Sequence, residues 1–149
     1  MSTDTIDLTK RPPRSARVTL GGYVILPRML DKGRATIAGV NGEFHYDCPL
    51  DKQFTSFVGI DSDKLKAELA AGKSDGEILA WIQENANQKL SPWEIQVWSA
   101  WQSQRGPGDP DSRSFFNDYH QKLAAHRTDV TSWFDILDLD DYASYGGRP

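Results

Sequence analysis

The sequence predicts a mainly α-helical, compact single domain of about six or seven helices, with an extended N-terminal arm and little or no sheet. Three observations support this class. The length of 149 residues is that of one ordinary domain. Apolar residues recur at intervals of three and four along most of the chain, which is the period of a helix with one buried face. Two segments match the capping box that begins helices, Ser74–Glu77 and Ser91–Glu94.

Residues 1–19 are predicted to form a basic, extended arm, and residues 20–149 the single helical domain. Pro12 and Pro13 lie in the middle of the arm. Proline lacks an amide hydrogen and clashes with the preceding turn, so this pair cannot lie inside a helix. We expect the arm to become ordered only by docking on the domain.

The first helix is predicted after the Gly21-Gly22 pair, with Pro27 in or before its first turn. Its apolar stripe contains Gly33, whose missing side chain would let another helix approach closely, at a propensity cost of about 1 kcal/mol. Charged residues lie opposite this stripe or flank it: Arg28, Asp31, Lys32 and Arg34.

Start and stop signals place the next elements. Asn41-Gly42 marks a turn, and residues 43–46 are predicted to form a short extended stretch. Pro49 suits the first position of a second helix, and Gly59 suits its end. Asp61 can cap a third helix, because its carboxylate can accept bonds from the free amides of the first turn.

The second half of the chain is predicted to carry large aromatic faces. A helix capped by Asp111 and a last helix after Asp129 or Thr131 complete the domain. In the helix that starts at Ser91, one broad apolar face is predicted to lie at the centre of the core. That face consists of Trp93, Val97, Ala100 and Trp101.

Composition predicts a cytoplasmic protein. A single cysteine excludes an intramolecular disulfide, and the N-terminal sequence lacks the basic and apolar regions of a signal peptide. No apolar run approaches the roughly 20 residues that a membrane span needs. The net charge of −4 disfavours non-specific phosphate binding. Neither a membrane nor a nucleic acid is therefore expected as a partner.

Four blocks of sequence occur together: LTKRPPRS at 8–15, GGY at 21–23 with LPRMLDK at 26–32, YDCPLD at 46–51, and SWFD at 132–135. In this combination the chain resembles, over nearly its whole length, the bacterial family catalogued as domain of unknown function 5069. The resemblance implies a single, soluble bacterial domain. It implies no particular activity.

Basic residues are concentrated in one segment of this acidic chain. Residues 10–34 hold seven lysines and arginines and a single acid, Asp31. Such a segment either neutralises an acidic surface of the same fold or binds an anion. In the first case, the arm docks on the C-terminal aspartates. In the second, Arg28, Asp31 and Arg34 are the candidate ligand-binding residues, because guanidinium groups suit carboxylate and phosphate. A solvated helix face with an Arg28–Asp31 pair is the remaining interpretation.

The sharpest local cluster for catalysis is His45-Tyr46-Asp47-Cys48, directly before Pro49. If Pro49 opens a helix, Cys48 lies at a helix N-terminus, where the dipole favours a thiolate. His45 would then act as the base, and Asp47 or Tyr46 would orient it. In the alternative interpretation, Cys48 is a small buried residue, Asp47 caps the helix and Tyr46 fills the core.

No metal site and no cofactor is expected. His120 and His126 are six positions apart, which places them about 120° apart around a helix. The aspartates near the C-terminus lack the glycine and glutamate of a calcium loop. Leu20-Gly21-Gly22 lacks the spacing and the lysine of a P-loop.

The sequence therefore predicts a cytosolic small-molecule-binding protein that recognises an anionic group. Whether it is an enzyme stays open at this point. If it is, His45 and Cys48 are expected to carry proton transfer or nucleophilic attack. The alternative is a non-enzymatic interaction or regulatory protein that binds a protein partner. It would dock this partner through the arm or through the C-terminal aromatic residues Trp133, Phe134, Tyr142 and Tyr145. The oligomeric state is not predicted.

Overall fold

Residues 5–149, the part of the chain that the computed structural model describes, form seven α-helices joined by short connections. This range contains no β-strand, and Leu20 and Tyr23 form an isolated bridge. The predicted mainly α-helical single domain is confirmed. The helices are α1 Leu26–Ile37, α2 Pro49–Val58, α3 Ser62–Ala70, α4 Asp75–Asn85, α5 Pro92–Gln104, α6 Pro110–Ala124 and α7 Trp133–Ser144.

Local capping signals set the helix starts largely as predicted. Ser74 and Ser91 form complete capping boxes at the first turns of α4 and α5. Two predicted caps are wrong. Asp109, not Asp111, caps α6, because a proline occupies the first helical position directly after it. Ser132, not Asp129 or Thr131, caps α7. Short-range hydrogen bonding thus decides most helix boundaries in this chain.

The first helix lies inside the domain instead of on its surface. Ten of its twelve residues are buried, and α1 packs against α2 and α3. Arg28, Asp31 and Lys32 are only 3%, 1% and 3% exposed, so the interpretation of a solvated helix face is wrong. Carboxylates from other elements neutralise the cations of α1, which makes their burial possible.

Gly33 allows the close helix approach predicted for it. A Cβ atom at this position would lie 2.6 Å from Leu69 Cδ1 of α3 and 3.1 Å from the ring of Tyr46. Any larger side chain would overlap these neighbours. The absence of a side chain therefore sets the distance between α1 and α3.

The described part of the predicted arm, residues 5–19, is docked on the helices, and residues 1–4 of that prediction lie outside the described residues. Ala16 is fully buried in the core. Arg17 pairs with Asp135 and, at 3.0 Å, with Asp138 of α7. The basic arm thus neutralises an acidic surface of its own fold, which was the first interpretation of the charge pattern.

A second group of ion pairs fixes the arm to α1 and α4. Arg14 donates hydrogen bonds to Asp31 at 2.9 Å and to Asp75 at 2.8 Å. Arg34 donates to the other oxygen of Asp75 at 2.8 Å. Partial burial alone would raise the pKa of Asp75, but these bonds outweigh it and hold the pKa below the ordinary value of 3.8.

We expect Asp75→Asn to destabilise the protein at neutral pH and to lose that effect in acid. Because the pKa of Asp75 is lowered by folding, its ionised form stabilises the folded state above about pH 4. That contribution is lost as the pH falls through the lowered pKa. Urea unfolding of wild type and variant between pH 7 and pH 2 measures it. A difference that stays constant over this range would contradict the assignment.

Helix α5 is oriented opposite to the prediction. Trp93, Val97 and Trp101 are 69%, 48% and 56% exposed, so the predicted place of this face at the centre of the core is wrong. Ser99 and Gln102 of the same helix are buried instead. The helical period identified one apolar face correctly, but it did not show which face the domain covers.

Two groups of aromatic residues fill the interior. In the larger core, Phe54 packs edge-on against Tyr23 with ring centroids 5.1 Å apart, and Trp98 stacks on Phe57 at 4.7 Å. In the smaller core, Phe116 of α6 meets Trp133 of α7. None of the helices in the described range is long and apolar enough to cross a membrane.

Candidate functional site

One cleft brings together residues from both sequence clusters that were predicted to carry function. It has a volume of about 680 Å³ and lies between α1, the loop before α2, α6 and α7. Helix α1 contributes Arg28 and Lys32. The loop contributes His45 and Cys48. The other lining residues are Leu8, Thr9, Gly42, Glu43, Phe44, Leu50, Tyr119, Leu137, Asp140, Ser144 and Tyr145.

The chemical centre of this cleft is the contact between a lysine and the single cysteine. Lys32 Nζ lies 3.1 Å from Cys48 Sγ and 2.9 Å from Asp51 Oδ2. The side chains of Lys32 and Asp51 are 4% and 0% exposed, whereas Cys48 is half-buried and borders the cleft. A buried ammonium group therefore stands between a carboxylate and a sulfur atom that ligands can reach.

A sharp turn presents the sulfur to Lys32. Asp47 has a φ of 63°, in the left-handed region that aspartate tolerates better than most residues. Its amide donates to Asp51 Oδ2 at 2.9 Å, so the same carboxylate that holds Lys32 also closes the turn. Cys48 occupies the N-cap position of α2, with Pro49 next to it. The alternative in which Asp47 caps the helix is wrong.

Asp51 is the anchor of this arrangement, and one of its oxygens is unusual. Oδ1 is buried without a hydrogen-bond partner among the described residues. The other oxygen forms an ion pair with Lys32 and accepts a hydrogen bond from the Asp47 amide. The buried Asp51 carboxylate can stay ionised only with Lys32 beside it, because an unpaired charge in the interior is strongly unfavourable.

The four predicted catalytic residues divide into two pairs. His45 and Cys48 line the cleft, with His45 exposed at its edge. Tyr46 turns away from it, donates to the Ser62 carbonyl at 2.7 Å and packs on α1. Burial and nearby carboxylates raise the pKa of Tyr46. Asp47 pairs with Lys52 at 3.1 Å on the surface. Neither Tyr46 nor Asp47 borders the cleft.

The three predicted ligand-binding residues also do not share one site. Arg28 lines the cleft, but it donates to both oxygens of Asp141, at 2.7 and 3.2 Å. Burial raises the pKa of Asp141 above its ordinary value, against the effect of the hydrogen bonds from Arg28. Asp31 and Arg34 border a separate pocket near α4. The Arg28–Asp31 pair expected within the helix is not formed.

Comparison with known proteins agrees with the resemblance seen in the sequence. A family model described as domain of unknown function (DUF5069) matches residues 10–143. The chain belongs to this family. No curated protein matches it.

In this DUF5069 domain, sequence reasoning missed three polar residues of the site. Asp51 lies beneath the cleft and holds Lys32, and its place three residues after the Cys48 N-cap was a usable signal. Tyr119 and Asp140 line the cleft, and they come from α6 and α7. Burial and the Asp140 carboxylate raise the pKa of Tyr119. No local pattern links these two helices to the loop at 41–48. Only the tertiary structure brings them together.

The polar groups of the DUF5069 cleft suit thiol chemistry better than metal chemistry. Within residues 5–149, no three histidine, cysteine, aspartate or glutamate side chains are grouped so that they could hold a metal ion. A thiolate on Cys48 would accept a charge-assisted hydrogen bond from the Lys32 ammonium. The arrangement can therefore stabilise a sulfur nucleophile beside a space large enough for a small molecule.

Proposed function

We propose that this DUF5069 domain is a cytoplasmic small-molecule-binding protein in which Cys48 reacts as a nucleophile. One observation carries the proposal: the reachable Cys48 sulfur lies 3.1 Å from the ammonium of buried Lys32. The cleft beside it, at about 680 Å³, has the size of a typical small-molecule site. A free cysteine is also typical of the reducing cytosol.

Each residue of the centre has a defined task in this proposal. Lys32 donates a hydrogen bond to the thiolate, which is the nucleophilic form of cysteine. Asp51 holds Lys32 in place through its 2.9 Å contact. His45 at the edge of the cleft takes up the proton that the thiol releases. The sulfur then attacks an electrophilic carbon of the bound molecule and forms a C–S bond, as in other covalent catalysis by cysteine. The displaced group leaves with the electron pair of the broken bond and takes the proton from His45.

The charges around the cleft argue against the anionic ligand that the sequence predicted. Lys32 is paired with Asp51, and Arg28 is paired with Asp141, so both cations are already neutralised. Glu43 also lines the cleft. An anionic group on the ligand would therefore meet little uncompensated positive charge. We propose a small polar electrophile, and we give Asp31 and Arg34 no role in this cleft.

Alkylation of Cys48 tests the proposed nucleophile. We expect iodoacetamide to modify the native protein at pH 7 about tenfold faster than it modifies the urea-unfolded chain, because only the folded state places Lys32 beside the sulfur. Intact-mass measurement over time gives both rates, since the chain has one cysteine. Cys48→Ser is the control for modification at other side chains.

The same assay has two informative comparisons. Lys32→Gln should slow alkylation of the folded protein toward the rate of the unfolded chain. A native rate at or below the unfolded rate would contradict the proposal. Iodoacetate, which is anionic, reports the local charge: a preference for iodoacetate over iodoacetamide, relative to the unfolded chain, would restore the anionic substrate predicted from the sequence.

Of the four C-terminal aromatic residues predicted for partner docking, Trp133, Phe134 and Tyr145 are used inside the fold, and Tyr142 is 56% exposed. Phe134 is 1% exposed, and Trp133 packs on Phe116 with ring centroids 5.3 Å apart. Tyr145 donates a hydrogen bond to the Leu8 carbonyl, which fixes the C-terminus to the arm. We therefore do not propose the arm or the C-terminal aromatic residues as a docking surface.

A further inference from the structure

Helix α5 packs Ile95 and Trp98 on the larger core and exposes a second apolar face. Trp93, Val97 and Trp101 lie in one row at intervals of four residues and are 69%, 48% and 56% exposed. The inward side of the helix carries the buried polar residues Ser99 and Gln102. A row of large exposed apolar side chains on one helix is typical of an interaction surface.

The buried polar residues lock this orientation. The Ser99 hydroxyl donates to the Gly22 carbonyl at 2.7 Å and accepts from the Val24 amide at 3.2 Å. Gln102 donates to Gln53 at 3.1 Å and accepts from Arg105 at 2.9 Å. Rotating α5 to bury Trp93 and Trp101 would break the three bonds to Gly22, Val24 and Gln53. These hydrogen bonds therefore keep the row of Trp93, Val97 and Trp101 on the outside of the domain.

We infer that the row binds a second copy of this chain, with the two α5 helices antiparallel and Val97 facing its equivalent. The row is symmetric about Val97, since one tryptophan lies four residues before it and the other four residues after it. A two-fold interface requires such a self-complementary surface. In this arrangement, Trp93 of each copy packs against Trp101 of the other. Rows spaced by four residues are also the commonest ridges in helix packing.

Charge at the two ends of the helix favours the antiparallel orientation. The Arg105 guanidinium lies over the Trp101 ring, 5.8 Å from its centroid. Glu94 is exposed beside Trp93 at the other end. When Trp101 of one copy meets Trp93 of the other, Arg105 comes to the end that carries Glu94. Opposite charges at the rim of an apolar contact favour one orientation over others.

The exposed area indicates a reversible dimer. A tryptophan presents roughly 250 Å², so exposures of 69% and 56% amount to about 300 Å² per copy. Two copies thus supply about 600 Å² from tryptophan alone, and the smallest stable specific interfaces bury about 1,200 Å². The rest comes from Val97 and the exposed neighbours Gln96, Ala100 and Gln104.

A charge exchange at Val97 tests the two-fold contact. Sedimentation equilibrium should show the wild type as a concentration-dependent dimer, and Val97→Glu and Val97→Lys each as monomers, because like charges would then meet on the symmetry axis. An equal mixture of the two variants should form dimers again. Val18→Glu is the matched control, because Val18 is also an exposed valine, at 40%, and lies outside α5.

Two results would overturn the inference. If the wild type stays monomeric at the highest soluble concentration, the row does not bind a second copy, and a different protein would be its partner. Dimers that persist in both single variants, or a mixture that stays monomeric, would show that Val97 does not face Val97. Circular dichroism of each variant confirms that it is folded, since an exposed valine can be replaced without disturbing the core.

Discussion

Lys32→Met is expected to lower the free energy of unfolding by about 3–5 kcal/mol. Methionine fills nearly the same volume but removes the charge that balances Asp51, whose side chain is fully buried. Asp51 Oδ1 already has no hydrogen-bond partner among the described residues, so Oδ2 would lose its only cation. Urea unfolding at pH 7 measures the loss as a fall in the transition midpoint.

The double variant Lys32→Met/Asp51→Asn separates loss of charge balance from loss of packing. Asparagine keeps an oxygen that can accept the Asp47 amide but carries no charge. We expect the double variant to recover more than half of the lost stability. If the double variant is no more stable than Lys32→Met alone, Lys32 does not stabilise the fold by neutralising Asp51.

Phe54→Ala should cost about 3–5 kcal/mol of unfolding free energy, the usual range for truncating a buried phenylalanine. Phe54 is fully buried and contacts the rings of Tyr23 and Trp98, with centroids 5.1 and 6.3 Å away. These rings come from different parts of the chain, so the cavity would loosen α2, α5 and the segment before α1 together. Denaturant unfolding measures this effect too.

Phe115→Ala is the matched control for that prediction. Phe115 is 64% exposed, so the same truncation should change the unfolding free energy by about 0.5 kcal/mol or less. Similar losses in the two variants would show that burial of Phe54 does not dominate the larger core.

Features that depend on neighbours along the chain were predictable from the sequence. The capping boxes at Ser74 and Ser91 form as expected, because hydroxyl, carboxylate and amide lie within one turn of each other. Gly33 admits the close approach of α3. His45 and Cys48 border the same cleft, since only two residues lie between them in the chain.

Features that depend on distant partners were not predictable. The sequence placed Arg28 and Arg34 in one anion site, but Asp141 and Asp75 pair with them in different parts of the fold. It also placed the aromatic row of α5 in the core. The amphipathic pattern is the same whether a helix faces its own domain or another molecule.

The amino-acid sequence by itself determined the helical class, most helix starts and the place of Cys48 at the start of α2, because hydrogen bonds and steric limits within a few residues govern them. The tertiary structure alone decided that Lys32 meets Cys48 and Asp51. It also decided that Ser99 and Gln102 face inward, whereas Trp93 and Trp101 face outward. These contacts depend on the charges and apolar surfaces that distant segments supply. The free energy of burying a side chain is therefore set only when the whole fold is assembled.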